Sequence, residues 1–119
     1  MKNLDAEAVV QGQVEAYNDH DVEKFASFYS DEITIYDLSG DKPTAKGKGI
    51  VALKKAYAWL AKAPPGFGVE IIKRIVNGPI VVDLERIQGL PEEKGTPEFL
   101  AIYEVRDGKI INVWFPPEP

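Results

Sequence analysis

The 119-residue chain has no cysteine, one histidine and one methionine. The lack of cysteine excludes disulfides, thiolate nucleophiles and thiolate-bound metals. One histidine cannot build the usual zinc site, and no H-x-x-x-H spacing exists. Positive charge is also in short supply. Fourteen Lys and Arg against 19 Asp and Glu give a net charge of -5 and a pI near 4.9, which argues against a nucleic-acid or anionic-membrane partner. No apolar run approaches the ~18 residues of a membrane span. The start, Met1-Lys2-Asn3-Leu4-Asp5-Ala6-Glu7, turns acidic at once, unlike a signal peptide. The motifs G-x-S-x-G, H-E-x-x-H and G-x-G-x-x-G are missing, so serine-hydrolase, zincin and dinucleotide readings have no support. These absences predict a soluble cytoplasmic protein that uses neither a metal nor a cofactor.

What remains is an ordinary globular balance, 45% hydrophobic and 28% charged, in a length that fits a single domain over residues 1–119. Residues 5–18 read as a helix with Asp5 as N-cap and Val9, Val10, Val14 and Tyr17 at near-helical spacing. Asn18-Asp19-His20-Asp21 interrupts it, and Asp21 caps a shorter helix carrying Phe25, Phe28 and Tyr29. A strand then runs to Asp37. Residues 39–49, rich in Gly and Lys, read as a loop, and a third helix is expected from Ile50 to Ala63, stopped by Pro64-Pro65-Gly66. Four β-rich runs follow: Val69–Val76, Ile80–Gln88, Phe99–Arg106 and Ile110–Phe115. Asn77-Gly78-Pro79 and Asp107-Gly108 read as hairpin turns. The order α-α-β-α-β-β-β-β is that of an α+β fold. Several runs are apolar on both faces, such as Ile71-Ile72 and Ile80-Val81-Val82. A sheet covered by helices on one side needs only one apolar face, so a homodimer is expected.

Candidate chemistry centres on carboxylates. Ile33, Ile35 and Asp37 share one strand face. Asp37 either enters the apolar interior, where burial would raise its pKa toward that of a useful general base, or ends the strand and turns to solvent near Ser39-Gly40. Asp83 and Glu85 share a face with Val81 and Ile87. That face either lines a pocket, where one carboxylate must be held neutral or paired, or meets solvent. Tyr17, Tyr29 and Tyr57 lie on helical faces that would cover the sheet, and their hydroxyls need partners or can serve a ligand oxygen. His20 reads as a helix-turn hydrogen-bonding residue, with a proton shuttle as the alternative. Lys46-Gly47-Lys48-Gly49 before the third helix gives a weak anion-binding signal, without the Walker pattern.

The chain resembles the SnoaL-like and ketosteroid-isomerase-like branch of the nuclear transport factor 2-like superfamily. The resemblance is carried by Val9-Val10-Gln11, Tyr17-Asn18-Asp19-His20-Asp21, Phe28-Tyr29-Ser30-Asp31-Glu32 leading to Tyr36-Asp37, Lys46-Gly47 through Ala52-Leu53 and Tyr57, and Tyr103-Glu104-Val105-Arg106-Asp107-Gly108-Lys109-Ile110. It implies a cone: a curved antiparallel sheet wrapped around three helices, with a deep apolar pocket, usually as a dimer. It places Asp37 at the proton-shuttling aspartate and Tyr57 in the pocket's hydrogen-bond network. It also turns Asp83 and Glu85 toward the pocket. Two positions depart from the isomerase pattern: Gln13 and Ala101 stand where its oxyanion-hole tyrosine and protonated aspartate fall. The implied function is proton transfer next to a carbonyl on a small, mostly apolar molecule, as in a steroid delta-isomerase. The alternatives are a SnoaL-type polyketide cyclase and a non-catalytic ligand-binding module.

Overall fold

The computed structural model describes residues 5–117; Met1–Leu4, on which part of the leader expectation rests, lie outside the described residues. Helix α1 spans Ala6–Asn18 and α2 Val22–Ser27. Both start where the sequence places a cap: Asp5 accepts from the Glu7 amide at 3.1 Å and Asp21 from the Lys24 amide at 3.0 Å. Strand β1 (Tyr29–Asp37), β2 (Thr44–Lys48) and helix α3 (Ile50–Ala56) follow, then a 3-10 turn at Ala58–Lys62. Strands β3 (Gly68–Asn77), β4 (Ile80–Gln88), β5 (Glu98–Arg106) and β6 (Lys109–Phe115) complete the chain, with a short 3-10 turn at Glu92–Lys94 between β4 and β5.

The fold class is the expected α+β cone, with two local differences. Strand β2 lies inside the expected loop. Its sequence, Thr-Ala-Lys-Gly-Lys, has no apolar alternation, and it is a strand because its backbone pairs with β1, a non-local effect that propensity does not register. The third helix stops at Ala56 instead of Ala63. Tyr57 leaves helical geometry (φ -106°, ψ 10°) and the chain tightens into the 3-10 turn, which still buries Leu60 completely.

The six strands form one sheet in the order β2-β1-β6-β5-β4-β3. All neighbours are antiparallel except β1 and β6, which run parallel. Asp107 and Gly108 both have positive φ (52° and 77°), as a tight β5–β6 hairpin requires. Three register shifts each insert one extra residue: Lys46 in β2, Ile72 in β3 and Ile111 in β6. Bulges bend and twist a strand, and here they curl the sheet around the helices. The inner face carries Ile33, Val81, Ala101, Tyr103, Ile110 and Val113, all buried against Val9, Val10, Phe25 and Leu53 of the helices.

The outer face carries an apolar stripe among charged residues such as Arg86, Glu98 and Glu104. One row crosses five strands, Ile75–Val82–Ile102–Trp114–Tyr36, each residue paired with the next. Ile75 is 65% exposed, and Tyr36 and Trp114 stack at 5.8 Å.

Candidate functional site

A cavity of about 270 Å³ lies between α1, α2 and the inner face. Its apolar walls include Val14, Phe25, Ile35, Val69, Phe99 and Val113, and its polar groups are Gln13, Tyr17, Tyr29, Tyr57, Glu85 and Tyr103. These polar side chains converge because each sits at the inward period of its element. Gln13 lies on the buried stripe of α1 beside Val10 and Val14. Glu85 follows Val81 and Asp83 by the strand's period of two, and Tyr103 lies across β5 opposite Val81.

The network is linear. The Tyr29 hydroxyl donates to Gln13 Oε1 at 2.9 Å, the Gln13 amide donates to the Tyr103 hydroxyl at 3.3 Å, and Tyr103 donates to Glu85 Oε2 at 2.9 Å. Glu85 is only 4% exposed. Burial pushes its carboxyl up to about 7; the Tyr103 hydrogen bond opposes that, the Asp83 carboxylate adds to it and Arg74 counters it. Among the described residues, Glu85 Oε1 receives no hydrogen bond. Burial likewise raises the four tyrosines, Tyr57 to about 12 and Tyr17, Tyr29 and Tyr103 above their ordinary value. All four therefore remain neutral donors near pH 7. Tyr17 and Tyr57 are held by ring packing against Phe25, at 5.8 and 4.9 Å between centroids. Among the described residues neither hydroxyl has a protein partner, so both are available to a ligand oxygen.

Asp83 shares the inner face with Glu85 but does not line the cavity. It is fully buried and pairs with Arg74 through two hydrogen bonds of 2.7 and 2.9 Å. The bulge at Ile72 sets Arg74 opposite it. Arg74 also donates to Gln11 Oε1 at 2.9 Å, which ties the pair to α1. The two carboxylates of β4 thus have different circumstances, one paired with a guanidinium and one facing the cavity.

Asp37 is on the inner face, as the period of two predicts, but not in the cavity. It is the last residue of β1 and lies beyond the pocket. Its Oδ1 accepts from the Ser39 amide at 2.8 Å and its Oδ2 lies 3.7 Å from Lys46 Nζ. Hydrogen bonding to Ser39 and the nearby Lys46 lower its pKa. The expected placement of Asp37 inside the pocket is therefore corrected: the strand ends at the rim, and the Asx turn to Ser39 draws the carboxylate toward water.

The remaining candidates have structural surroundings. His20 Nε2 donates to the Phe67 carbonyl at 2.7 Å, and Asn18 clamps Val69 with hydrogen bonds of 2.8 and 3.0 Å. Both fasten the end of α1 to the start of β3. Gly49 spends its amide on the Ile33 carbonyl at 2.7 Å. Sequence reasoning missed the roles of Gln13 and Tyr103. A polar residue on an apolar helical stripe and a tyrosine alternating with Ala101 and Val105 were the available signals, since buried polar groups need partners.

A half-open cone with a desolvated carboxyl and four phenols lining its cavity defines the class: an α+β fold whose curved sheet and helices enclose a mostly apolar cavity. The chain belongs to the SnoaL-like domain family, whose sequence profile matches residues 10–113. Solved structures share the fold at low identity. A cystatin-fold protein of Novosphingobium aromaticivorans is 19% identical, with 94% of this chain and 97% of that one covered and a TM-score of 0.76. A candidate ketosteroid isomerase of Kribbella flavida is 16% identical, with 96% and 78% covered and a TM-score of 0.74. A candidate polyketide cyclase of Sinorhizobium meliloti is 14% identical, with 91% and 93% covered and a TM-score of 0.70. No protein with a curated description matches by sequence.

Proposed function

We propose that the protein is a cofactor-independent isomerase or cyclase that moves a proton next to a carbonyl, with Glu85 as the general base. One observation carries this reading: a carboxyl poised near 7 that faces an apolar cavity while its other oxygen is held by Tyr103. Ionised Glu85 takes the proton from the carbon beside the carbonyl. The C–H electron pair moves into the enolate, and the Tyr17 and Tyr57 hydroxyls donate to its oxygen. Protonated Glu85 then returns the proton to the conjugated position, or the enolate carbon attacks a second carbonyl of the same molecule and Glu85 gives its proton to the alkoxide that forms. Tyr17 and Tyr57 thus take over the task of the missing oxyanion residues at Gln13 and Ala101. Asp37 is left as a rim residue.

For a β,γ-unsaturated ketone, kcat/KM is expected to rise with pH through a midpoint of about 7, as Glu85 loses its proton. A profile flat across that range, followed by conjugated-enone absorbance, would remove Glu85 as base. Asp37→Asn is expected to lower turnover far less than Glu85→Gln.

The protein is proposed to act as a single domain over residues 1–119 in the cytoplasm, without nucleic acid or membrane partners. The acidic net charge supports this. No helix among the described residues is long and apolar enough to cross a membrane. The outer apolar row supports a homodimer. Ile102→Arg, at the middle of that row, is expected to convert a dimer to a monomer in sedimentation velocity; a wild-type monomer would contradict the dimer.

A further inference from the structure

A second, half-open cavity of about 450 Å³ adjoins the first and is lined by β1, β2, α3 and the 3-10 turn. Ile35, Tyr57, Trp59 and Phe115 line both. Its other walls include Ile33, Ala52, Leu53 and Ala56, and the only charged side chain lining it among the described residues is Lys46.

Lys46 reaches this position by a specific distortion of the sheet. Ile35 pairs with Gly47 and Tyr36 with Ala45, so Lys46 is the extra residue of the β2 bulge. A bulge re-aims a side chain that a regular ladder would fix. Here it brings a lysine to an apolar cavity otherwise bounded on that strand by Gly47. Its contact with Asp37, at 3.7 Å, is longer than a hydrogen bond, and Asp37 already accepts from the Ser39 amide. Such a partly exposed pair is weak, and its ammonium can turn to another acceptor.

The first cavity alone is small. A 150 Å³ apolar cavity holds about one benzene ring, so about 270 Å³ suits a compact carbonyl-bearing ring system and little more. We propose that the two cavities form one continuous site for an elongated apolar carboxylate, with the carbonyl-bearing end at Glu85, the chain passing beneath Tyr57 and Trp59, and the carboxylate held by Lys46. Asp37 is then the counter-ion of Lys46 in the empty protein, displaced when the ligand's carboxylate arrives. This rests on the cavity reading given above, though not on Glu85 acting as base.

The test measures binding of phenylpropanoic, phenylhexanoic and phenylnonanoic acids and their methyl esters by calorimetry, below the Glu85 value of about 7, where the first cavity is neutral. A contact with the partly exposed Lys46 predicts that one of the longer acids binds roughly two- to fivefold tighter than its ester. The shortest acid should show no such preference. Lys46→Met, at an exposed position that the fold tolerates, should remove the preference while leaving ester affinity unchanged. Ala52→Phe should weaken the longer acid and its ester together. Asp37→Asn should tighten the acid. Equal binding of acid and ester, a preference that survives Lys46→Met, or no binding of any acid would overturn the proposal. A Lys46-dependent preference alongside fully active Glu85→Gln would uphold this site and defeat the base; the reverse pairing would do the opposite.

Discussion

Glu85→Gln is expected to lower kcat for a β,γ-unsaturated ketone by about 10²- to 10⁴-fold, the contribution of a well-placed general base. The substitution is nearly isosteric, and the Tyr103 hydroxyl can still donate to the amide oxygen, so the Tyr29–Gln13–Tyr103 chain survives. Substrate binding should change little, which puts the loss in kcat rather than KM. The same substitution carries a second signature of opposite sign. Glu85 in the folded protein holds its proton up to about 7, against an ordinary value of 4.5. Between those values the native state binds more protons than the unfolded state, so stability falls as pH rises through that window and levels off above it. The penalty is about 3 kcal/mol once the carboxylate is fully charged in its apolar surroundings. Glu85→Gln should therefore be inactive and, above about pH 7, more stable than wild type. Denaturant melts at several pH values read the second effect. A variant both inactive and destabilised throughout would assign Glu85 a structural role instead.

The second large effect belongs to Arg74. Its side chain is 12% exposed and that of its partner Asp83 is completely buried. Arg74→Met leaves a buried carboxylate with no cation beside it. Breaking one side of such a pair costs about 3–5 kcal/mol, a large share of the stability of a domain of this size. The double substitution Arg74→Met with Asp83→Leu should recover most of that loss, because the uncompensated charge is gone. Arg74 also restrains the rise of the Glu85 pKa, whereas Asp83 adds to it. In Arg74→Met the midpoint of the pH–rate profile should therefore move upward, and in the double variant it should return. A profile unmoved by either change would show that the pair braces the fold without tuning the base.

The sequence reveals the frame of this molecule better than its chemistry, for identifiable reasons. Helix caps at Asp5 and Asp21, the Asp107-Gly108 turn and the alternation of β4 are local signals, and local signals decide local structure. Parity correctly places Val81, Asp83, Glu85 and Ile87 on one face, and Ile33, Ile35 and Asp37 on another stretch of the same inner surface. Parity says nothing of depth. Asp37 is the last residue of β1 and lies beyond the cavity, and a short Asx turn settles its orientation. Strand β2 is illegible because its partner, not its composition, makes it a strand. The bulges at Lys46 and Ile72 belong to the same category: they are properties of a pair of strands, and they decide that Lys46 meets a chamber and Arg74 meets Asp83. The separate fates of Asp83 and Glu85 follow from that second bulge, since only one of the two carboxylates is offered a guanidinium.

The buried carboxyl of Glu85 is expected to change charge near neutrality. Carbon-detected nuclear magnetic resonance of the Glu85 side-chain carboxyl, titrated with pH and assigned by comparison with Glu85→Gln, measures this directly. The expected midpoint is about 7. A midpoint at the ordinary value of 4.5 would contradict it and leave the cavity without a base.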